Sequence, residues 1–201
     1  MRESEGTNGG NRTLRETKAA LRNQVASVLT RLPAEPRVAA SAKARALLEK
    51  QATWREAGSI LFFAPLPLEL DIWPLIANAI AAGKTASLPR FVAETAQYTA
   101  CRVEDPESDV RPGRFGIREP LPHCQAVPLN RLDFILVPGV AFDLHGRRLG
   151  RGKGFYDRLL AAVRGTTCGV AFDEQIVRAV PVEPHDVYLN CILTPTRWIE
   201  L

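Results

Sequence analysis

Apolar residues recur at helical spacing near the start of the chain and in short unbroken runs beyond it. Leu21, Val25, Val28, Leu29 and Leu32 repeat three and four residues apart, as along one face of a helix. Thr13-Leu14-Arg15-Glu16 just ahead of them fits a capping box. Pro33 and Pro36 end this helix. The pattern predicts a second helix from about Arg37 to Gln51, carried by Val38, Ala42, Leu47 and Leu48. Ser59 to Ala64 (SILFFA) changes character and reads as a buried strand. After a proline-rich loop, Asp71 can cap a helix with Pro74 in its first turn, and Gly83 can stop it. Further strands are predicted at Thr85 to Leu88, Gln97 to Val103, Asp133 to Val137, Thr167 to Phe172 and Asn190 to Leu193. Phe155 to Val163 reads as a helix, with Phe155, Leu159, Leu160 and Val163 on one side, and residues 104 to 130 as a loop-rich stretch. Strands alternating with helices indicate a single-domain, layered α/β fold of Rossmann-like type. Residues 1–12 are polar and rich in Gly and Asn, so a disordered tail is expected there, followed by one domain over 13–201.

Composition narrows the class. The chain has 201 residues, 46% hydrophobic and 24% charged, which excludes a wholly disordered protein. With 14 Gly, 15 Pro and 4 Cys, collagen-like and disulfide-scaffold classes are excluded too. Cys101, Cys124, Cys168 and Cys191 form no C-x-x-C pair and are expected to be reduced, mostly buried thiols. No apolar run approaches the ~20 residues of a membrane span, and the N-terminus lacks the apolar core of a secretory signal. A cytoplasmic protein with no membrane partner is expected.

The net charge of +4 calls for an anionic partner without saying which. Residues 1–17 hold three Arg and three Glu and contribute nothing to it. Between Asp143 and Arg158, four Arg and one Lys face two Asp, a net of +3. The excess therefore sits in the stretch Arg148-Leu149-Gly150-Arg151-Gly152-Lys153-Gly154-Phe155-Tyr156-Asp157, between a predicted strand and a predicted helix.

Three alternate glycines let backbone approach a ligand, a helix start adds partial positive charge, and Arg148, Arg151 and Lys153 add full charges. Phosphate suits this chemistry best. The loop is not a Walker A, since Gly follows Lys153, nor a G-x-G-x-x-G, since its third Gly comes one residue early. Asp157 can complement the helix dipole or hold Mg²⁺. Lys18 falls within the apolar stripe of the first helix, with Arg22 at its edge. It either snorkels past the helix end or reaches, with Arg22, into an anionic site. Glu69 is either a surface acid or a buried one able to hydrogen-bond a heterocycle's N–H groups. Asp186 is a possible second acid near the phosphate site, while His123 and His145 are expected to be partnerless surface residues.

These segments together resemble the 5-formyltetrahydrofolate cyclo-ligase family. The resemblance spans about residues 18 to 194. It rests on Lys18-x-x-Leu21-Arg22, Glu69-Leu-Asp71, Leu88-Pro-Arg90, Phe115-Gly-Ile-Arg-Glu119-Pro120, Val137-Pro-Gly-Val-Ala-Phe-Asp143 with Gly146, and Arg148 to Asp157. Gln175, Pro181, His185-Asp186 and Thr194 close it. Asn190 and Ile72 depart from the family's usual Asp and Thr.

The resemblance implies a mixed, mostly parallel central sheet flanked by helices. It also implies an ATP- and Mg²⁺-dependent enzyme converting 5-formyltetrahydrofolate to 5,10-methenyltetrahydrofolate, ADP and phosphate. The formyl oxygen would be phosphorylated and N10 would close the ring. Lys18, Arg22 and the stretch Arg148, Leu149, Gly150, Arg151, Gly152 and Lys153 would bind ATP, together with Gly154, Phe155 and Tyr156. Arg148, Arg151 and Lys153 would be catalytic. Glu69 would take the folate ring system, with Phe155 and Tyr156 on the folate side and the turn from Arg151 to Gly154 beside it. Asp157 and Asp186 would hold Mg²⁺. A monomer is expected, on a folate that carries one glutamate or several. Two other classes also fit the basic turn. One is a non-catalytic RNA-binding module, although only Phe155 and Tyr156 interleave the cations. The other is a cyclo-ligase-like ATP- or phosphate-binding protein with a different substrate.

Overall fold

The computed structural model describes residues 6–113, 116–183 and 186–201, with side chains from residue 12 onward. Phe115 and His185 lie outside the described residues. The elements run α1 (Gly6–Arg31), α2 (Ala34–Leu48), α3 (Ala52–Glu56), β1 (Ser59–Leu61), α4 (Pro74–Ala81), β2 (Thr85–Val92) and β3 (Gln97–Arg102). They continue with β4 (Val110–Pro112), β5 (Arg118–Pro120), β6 (Ala126–Val127), β7 (Phe134–Pro138), β8 (Ala141–Phe142) and β9 (Arg148–Leu149). α5 (Phe155–Leu160), β10 (Thr166–Val170), β11 (Cys191–Leu193) and β12 (Trp198–Glu200) complete the chain.

Eight strands form one sheet in the order β12-β11-β10-β7-β1-β2-β3-β6. The central five, β11 to β2, are mutually parallel, while β12 and β3 run antiparallel to their neighbours. Ranked by chain order, the five stand as 2-1-3-4-5, a doubly wound arrangement whose direction of winding reverses between β1 and β7. The sheet is mixed and mostly parallel, as expected.

Successive strand residues face opposite sides. Ile60, Phe62, Phe134 and Leu136 pack with Val25 and Leu29 of α1, Ala44 and Leu48 of α2, Trp54 of α3 and Leu75 and Ile76 of α4. Leu61, Ile135, Val137 and Ile192 pack on the other face, with Leu159 and Leu160 of α5. Trp54 meets Phe62 and Phe134 edge-on, with ring centroids 6.0 and 6.2 Å away. All four cysteines are buried free thiols. Among the described residues, no helix is long and apolar enough to cross a membrane.

Several expectations are corrected. The first helix begins at Gly6, so residues 6–12 of the expected tail are helical. Once a turn has nucleated, adding residues ahead of it is cheap, and no proline stops it. α2 starts three residues earlier and ends three residues sooner than predicted, and its buried face is Ser41, Ala44 and Leu48. Val38, by contrast, is 69% exposed. Ser41 earns burial by hydrogen bonding, donating to the Arg37 carbonyl (2.9 Å) and accepting from the Asp71 N–H (3.0 Å). The loop-rich stretch from 104 to 130 also contains the short strands β4, β5 and β6. Strands of two or three residues show no period, and Pro112 and Pro120 fall at strand ends, where proline is tolerated. α5 stops at Leu160, and β12 was not foreseen.

Candidate active site

The winding reversal leaves a crevice beyond the carboxyl ends of β1 and β7, where ligands bind in open α/β sheets. A cavity of about 360 Å³ occupies it, within the usual range for small-molecule sites. Phe63, Ala64, Leu66 and Glu69 enter it from the segment after β1, Pro89 and Tyr98 from β2 and β3, and Ile117 from the loop before β5. The opposite wall is Pro138, Gly139, Arg148 and the turn from Gly150 to Asp157.

The turn is braced from beneath. β8 and β9 pair as a hairpin whose loop is organised by the fully buried Asp143. Its carboxylate accepts from the N–H groups of His145 (2.9 Å), Arg147 (3.2 Å) and Val180 (2.8 Å). The buried Gln175 amide donates to the carbonyls of Gly139 (2.9 Å) and Val140 (3.0 Å) and so fixes the chain leaving β7. Gly152 and Gly154 have positive φ, +92° and +65°, where side chains other than glycine's are strained. Gly150 is needed for space instead, since a Cβ there would sit 2.9 Å from Arg148 Nη1. α5 has only six residues, too short for the helix-end charge expected of it. The turn's positive character therefore rests on its side chains and backbone N–H groups.

The arginines around the turn each meet a carboxylate or carbonyl. Arg148, 4% exposed, forms an ion pair with Asp157 and lies over the Tyr156 ring at 5.8 Å. Its Nε is buried without a hydrogen-bond partner among the described residues. Arg151 reaches Glu69 Oε1 at 3.0 Å, and Glu69 Oε2 accepts the Leu66 N–H at 2.9 Å. Glu69 is thus the buried acid of the two readings, its side chain 10% exposed. Arg22 donates from Nε to the Gly150 carbonyl at 2.9 Å and supports the turn from behind. Lys153 is exposed at the cavity edge. Burial, and then the neighbouring Glu69, push the Tyr156 phenol well above its ordinary range, so it stays a neutral donor. Phe91, Tyr98 and Phe155 stack edge to face with centroids 5.3–5.6 Å apart.

Lys18, Arg22, Leu149 and Asp186 lie outside the cavity lining. Lys18 follows neither of its two readings: its ammonium pairs with Glu183 (2.8 Å) and Asp186 (3.2 Å), so its anionic partner is protein. The same Asp186 Oδ2 also accepts the Glu183 N–H at 2.7 Å. Leu149 is buried in the core because extended β9 turns its side chain away from the turn, while its carbonyl accepts the Val140 N–H. His123, expected to lack a partner, contacts Asp109 at 3.0 Å. Asn190 uses its side-chain oxygen to accept from the Thr167 N–H and hydroxyl, fastening β10 beside β11. The apolar wall of Phe63, Leu66, Pro89, Tyr98 and Ile117 was not singled out from sequence. Such residues read as core until the topology opens a crevice beside them.

A doubly wound sheet carrying a cation-rich glycine turn at its reversal point defines a phosphate- or nucleotide-binding α/β protein. Comparison with known proteins makes the class specific. The model of the 5-formyltetrahydrofolate cyclo-ligase family matches residues 14–195. The 5-formyltetrahydrofolate cyclo-ligase of Escherichia coli K12 is 37% identical over 145 residues, covering 70% of this chain and 80% of that one. The mouse protein of the same name is 28% identical over 197 residues, covering 90% and 95%. The solution structure of Aquifex aeolicus 5,10-methenyltetrahydrofolate synthetase superposes with a TM-score of 0.83 at 33% identity, over 92% of each chain. The chain belongs to the 5-formyltetrahydrofolate cyclo-ligase family. It is accordingly an enzyme, a cyclo-ligase that converts 5-formyltetrahydrofolate to 5,10-methenyltetrahydrofolate, and the family uses ATP.

Proposed function

We propose that the cavity at the reversal point holds both substrates, the folate against its apolar wall and the ATP phosphates against the glycine turn. One observation carries the reading: aromatic and proline side chains and three cationic ones line the same cavity of about 360 Å³. The wall of Phe63, Pro89 and Tyr98 suits a flat heterocycle. The Glu69 carboxylate at its edge is placed to accept that ring's N–H groups.

The chemical obstacle is the formyl oxygen on N5, which is a poor leaving group. Transfer of the γ-phosphoryl group to that oxygen makes it a phosphate ester and releases ADP. N10 then attacks the activated carbon, loses its proton, and phosphate departs. Arg148, Arg151 and Lys153 bind and neutralise the phosphoryl oxygens as charge develops, and the rest of the site positions the reactants. Arg22 acts through the Gly150 carbonyl as a positioning residue. Lys18 and Asp186 act at one remove, holding α1 to the segment around residue 183.

The donor set fits a hard cation with a single protein carboxylate. Asp157 lines the cavity and uses one oxygen for Arg148, leaving the other for Mg²⁺. One carboxylate with waters and phosphate oxygens is the habitual Mg²⁺ environment. When bound, the ion would neutralise phosphate charge. The enzyme works as a cytoplasmic monomer in this reading.

The test mixes purified protein, 5-formyltetrahydrofolate and ATP, with and without Mg²⁺, and follows the near-ultraviolet absorbance of the methenyl product. An ATP-dependent rise is expected, larger with Mg²⁺. No ATP-dependent signal from folded protein would sink the reading.

A further inference from the structure

We propose that Asp109, His123 and Cys124 form a site for one zinc-class divalent cation, separate from the cavity. Asp109 Oδ1, His123 Nε2 and Cys124 Sγ lie within 4.8 Å of one another, the one such three-donor cluster among the described residues. None of the three lines the substrate cavity.

The cluster is built before any ion arrives. Asp109 Oδ2 accepts the N–H groups of Glu104 (2.8 Å) and Asp105 (3.0 Å), which turns Oδ1 toward His123 Nε2 at 3.0 Å. Cys124 is buried, with Sγ 3.6 Å from the Asp109 carbonyl. Its backbone is fixed as well: Cys124 N–H donates to the Leu121 carbonyl (3.0 Å), and Leu121 N–H donates to that of Asp109 (2.8 Å). Carboxylate and thiol are therefore both held in place.

His123 is the adjustable donor, with its side chain 63% exposed. Tetrahedral zinc, with bonds of about 2.0–2.3 Å, needs donors roughly 3.3–3.8 Å apart. The exposed ring is the donor able to move toward the other two. Two protein segments and a water would then complete four coordination.

The donor types choose the metal. Thiolate and imidazole favour zinc and its soft neighbours, whereas Mg²⁺ and Ca²⁺ take oxygens. A bound ion would clamp the two strand ends that enter and leave the β4–β5 hairpin, because Asp109 precedes β4 and Cys124 follows β5. The site would thus stabilise the element next to Ile117 at the cavity rim. Arg90, two residues before the end of β2, already donates to the Leu121 (2.8 Å) and Cys124 (3.4 Å) carbonyls and ties this corner to the sheet.

The probe is Co²⁺, whose thiolate complex absorbs in the near ultraviolet, followed by displacement with Zn²⁺. The full chain, stripped with chelator, is titrated alongside His123→Ala and Cys124→Ser. One Co²⁺ per chain with a thiolate band is expected, displaced by Zn²⁺ but not by Mg²⁺. Each substitution should weaken binding about tenfold or more, since even losing a ligand's outer partner costs 10–100-fold. His123→Ala removes an exposed side chain and leaves the core intact, so a folding defect cannot mimic its result. Absence of a stoichiometric thiolate band, or a band unchanged by either substitution, would overturn the proposal.

Discussion

Asp157→Asn removes one charge from the pair that anchors the glycine turn, and its consequences can be worked out from burial. Arg148 is 4% exposed and Asp157 is 26% exposed. Breaking a fully buried pair costs about 3–5 kcal/mol, and an exposed one contributes about 0.2–1 kcal/mol. This pair lies between the limits, and Asn retains shape and one acceptor, so about 2–3 kcal/mol is expected. In a chain of this size each 1 kcal/mol lowers Tm by roughly 2–4 °C, which gives a fall of about 4–12 °C. The assay is thermal unfolding followed by far-ultraviolet circular dichroism. Adding Arg148→Met to Asp157→Asn should recover part of the loss, because the damage is an uncompensated buried cation. A fall below about 1 °C, or a double variant less stable than Asp157→Asn alone, would refute the reasoning.

Lys153→Ala should lower turnover about 10²–10³-fold in the methenyl assay, as for loss of one charge-stabilising donor, while Tm stays within about 1 °C. Gly154→Ala places a side chain at φ +65° with its Cβ 3.3 Å from Arg158 Nη1. It should cost roughly 1–2 kcal/mol in urea unfolding and weaken ATP binding through the displaced turn. Lys84 donates to the carbonyls of Trp54 (3.2 Å), Arg55 (2.7 Å) and Ala57 (2.6 Å), closing the end of α3. Lys84→Met should therefore cost about 1.5–3 kcal/mol in the same unfolding experiment, with the chemical step unaffected.

The parts of the fold legible in the sequence are those with a local cause. DFILV announces β7 because a strand buried on both faces is apolar throughout. Pro74 and Gly83 frame α4 by their backbone geometry, and Gly83 does adopt φ +75°. The glycine turn was legible in its place, between a strand and a helix, because alternating Gly with Arg and Lys marks a break between regular elements. What stayed hidden depends on residues far apart in the chain. Lys18 meets Asp186 across 168 positions, and no periodicity in α1 encodes that carboxylate. The position of β1 beside β7 makes Phe63, a buried core residue, part of a site wall as well, and strand order is not a local property. Val38 misled for the opposite reason. It has the right residue type, but the helix start set by Pro33 turns it toward water.

The same distinction applies to charge. A net of +3 over sixteen residues suggests a bare cationic pocket waiting for an anion. The folded site instead pairs Arg148 with Asp157, Arg151 with Glu69, and Lys18 with Glu183 and Asp186. Two of those carboxylates, Asp157 and Glu69, line the cavity itself. A guanidinium has five donors, so Arg148 and Arg151 can keep their carboxylates and still donate to phosphate. In the proposed function the carboxylates aim the cations more than they cancel them, and the buried Arg148 is oriented by Asp157 before ATP arrives. In that reading, preorganisation of this kind would let a modest net charge serve phosphoryl transfer, because the donors need little rearrangement as charge develops on the transferring group. It also explains why the turn needs glycine: a side chain at Gly150 would occupy the space that Arg148 fills to reach Asp157.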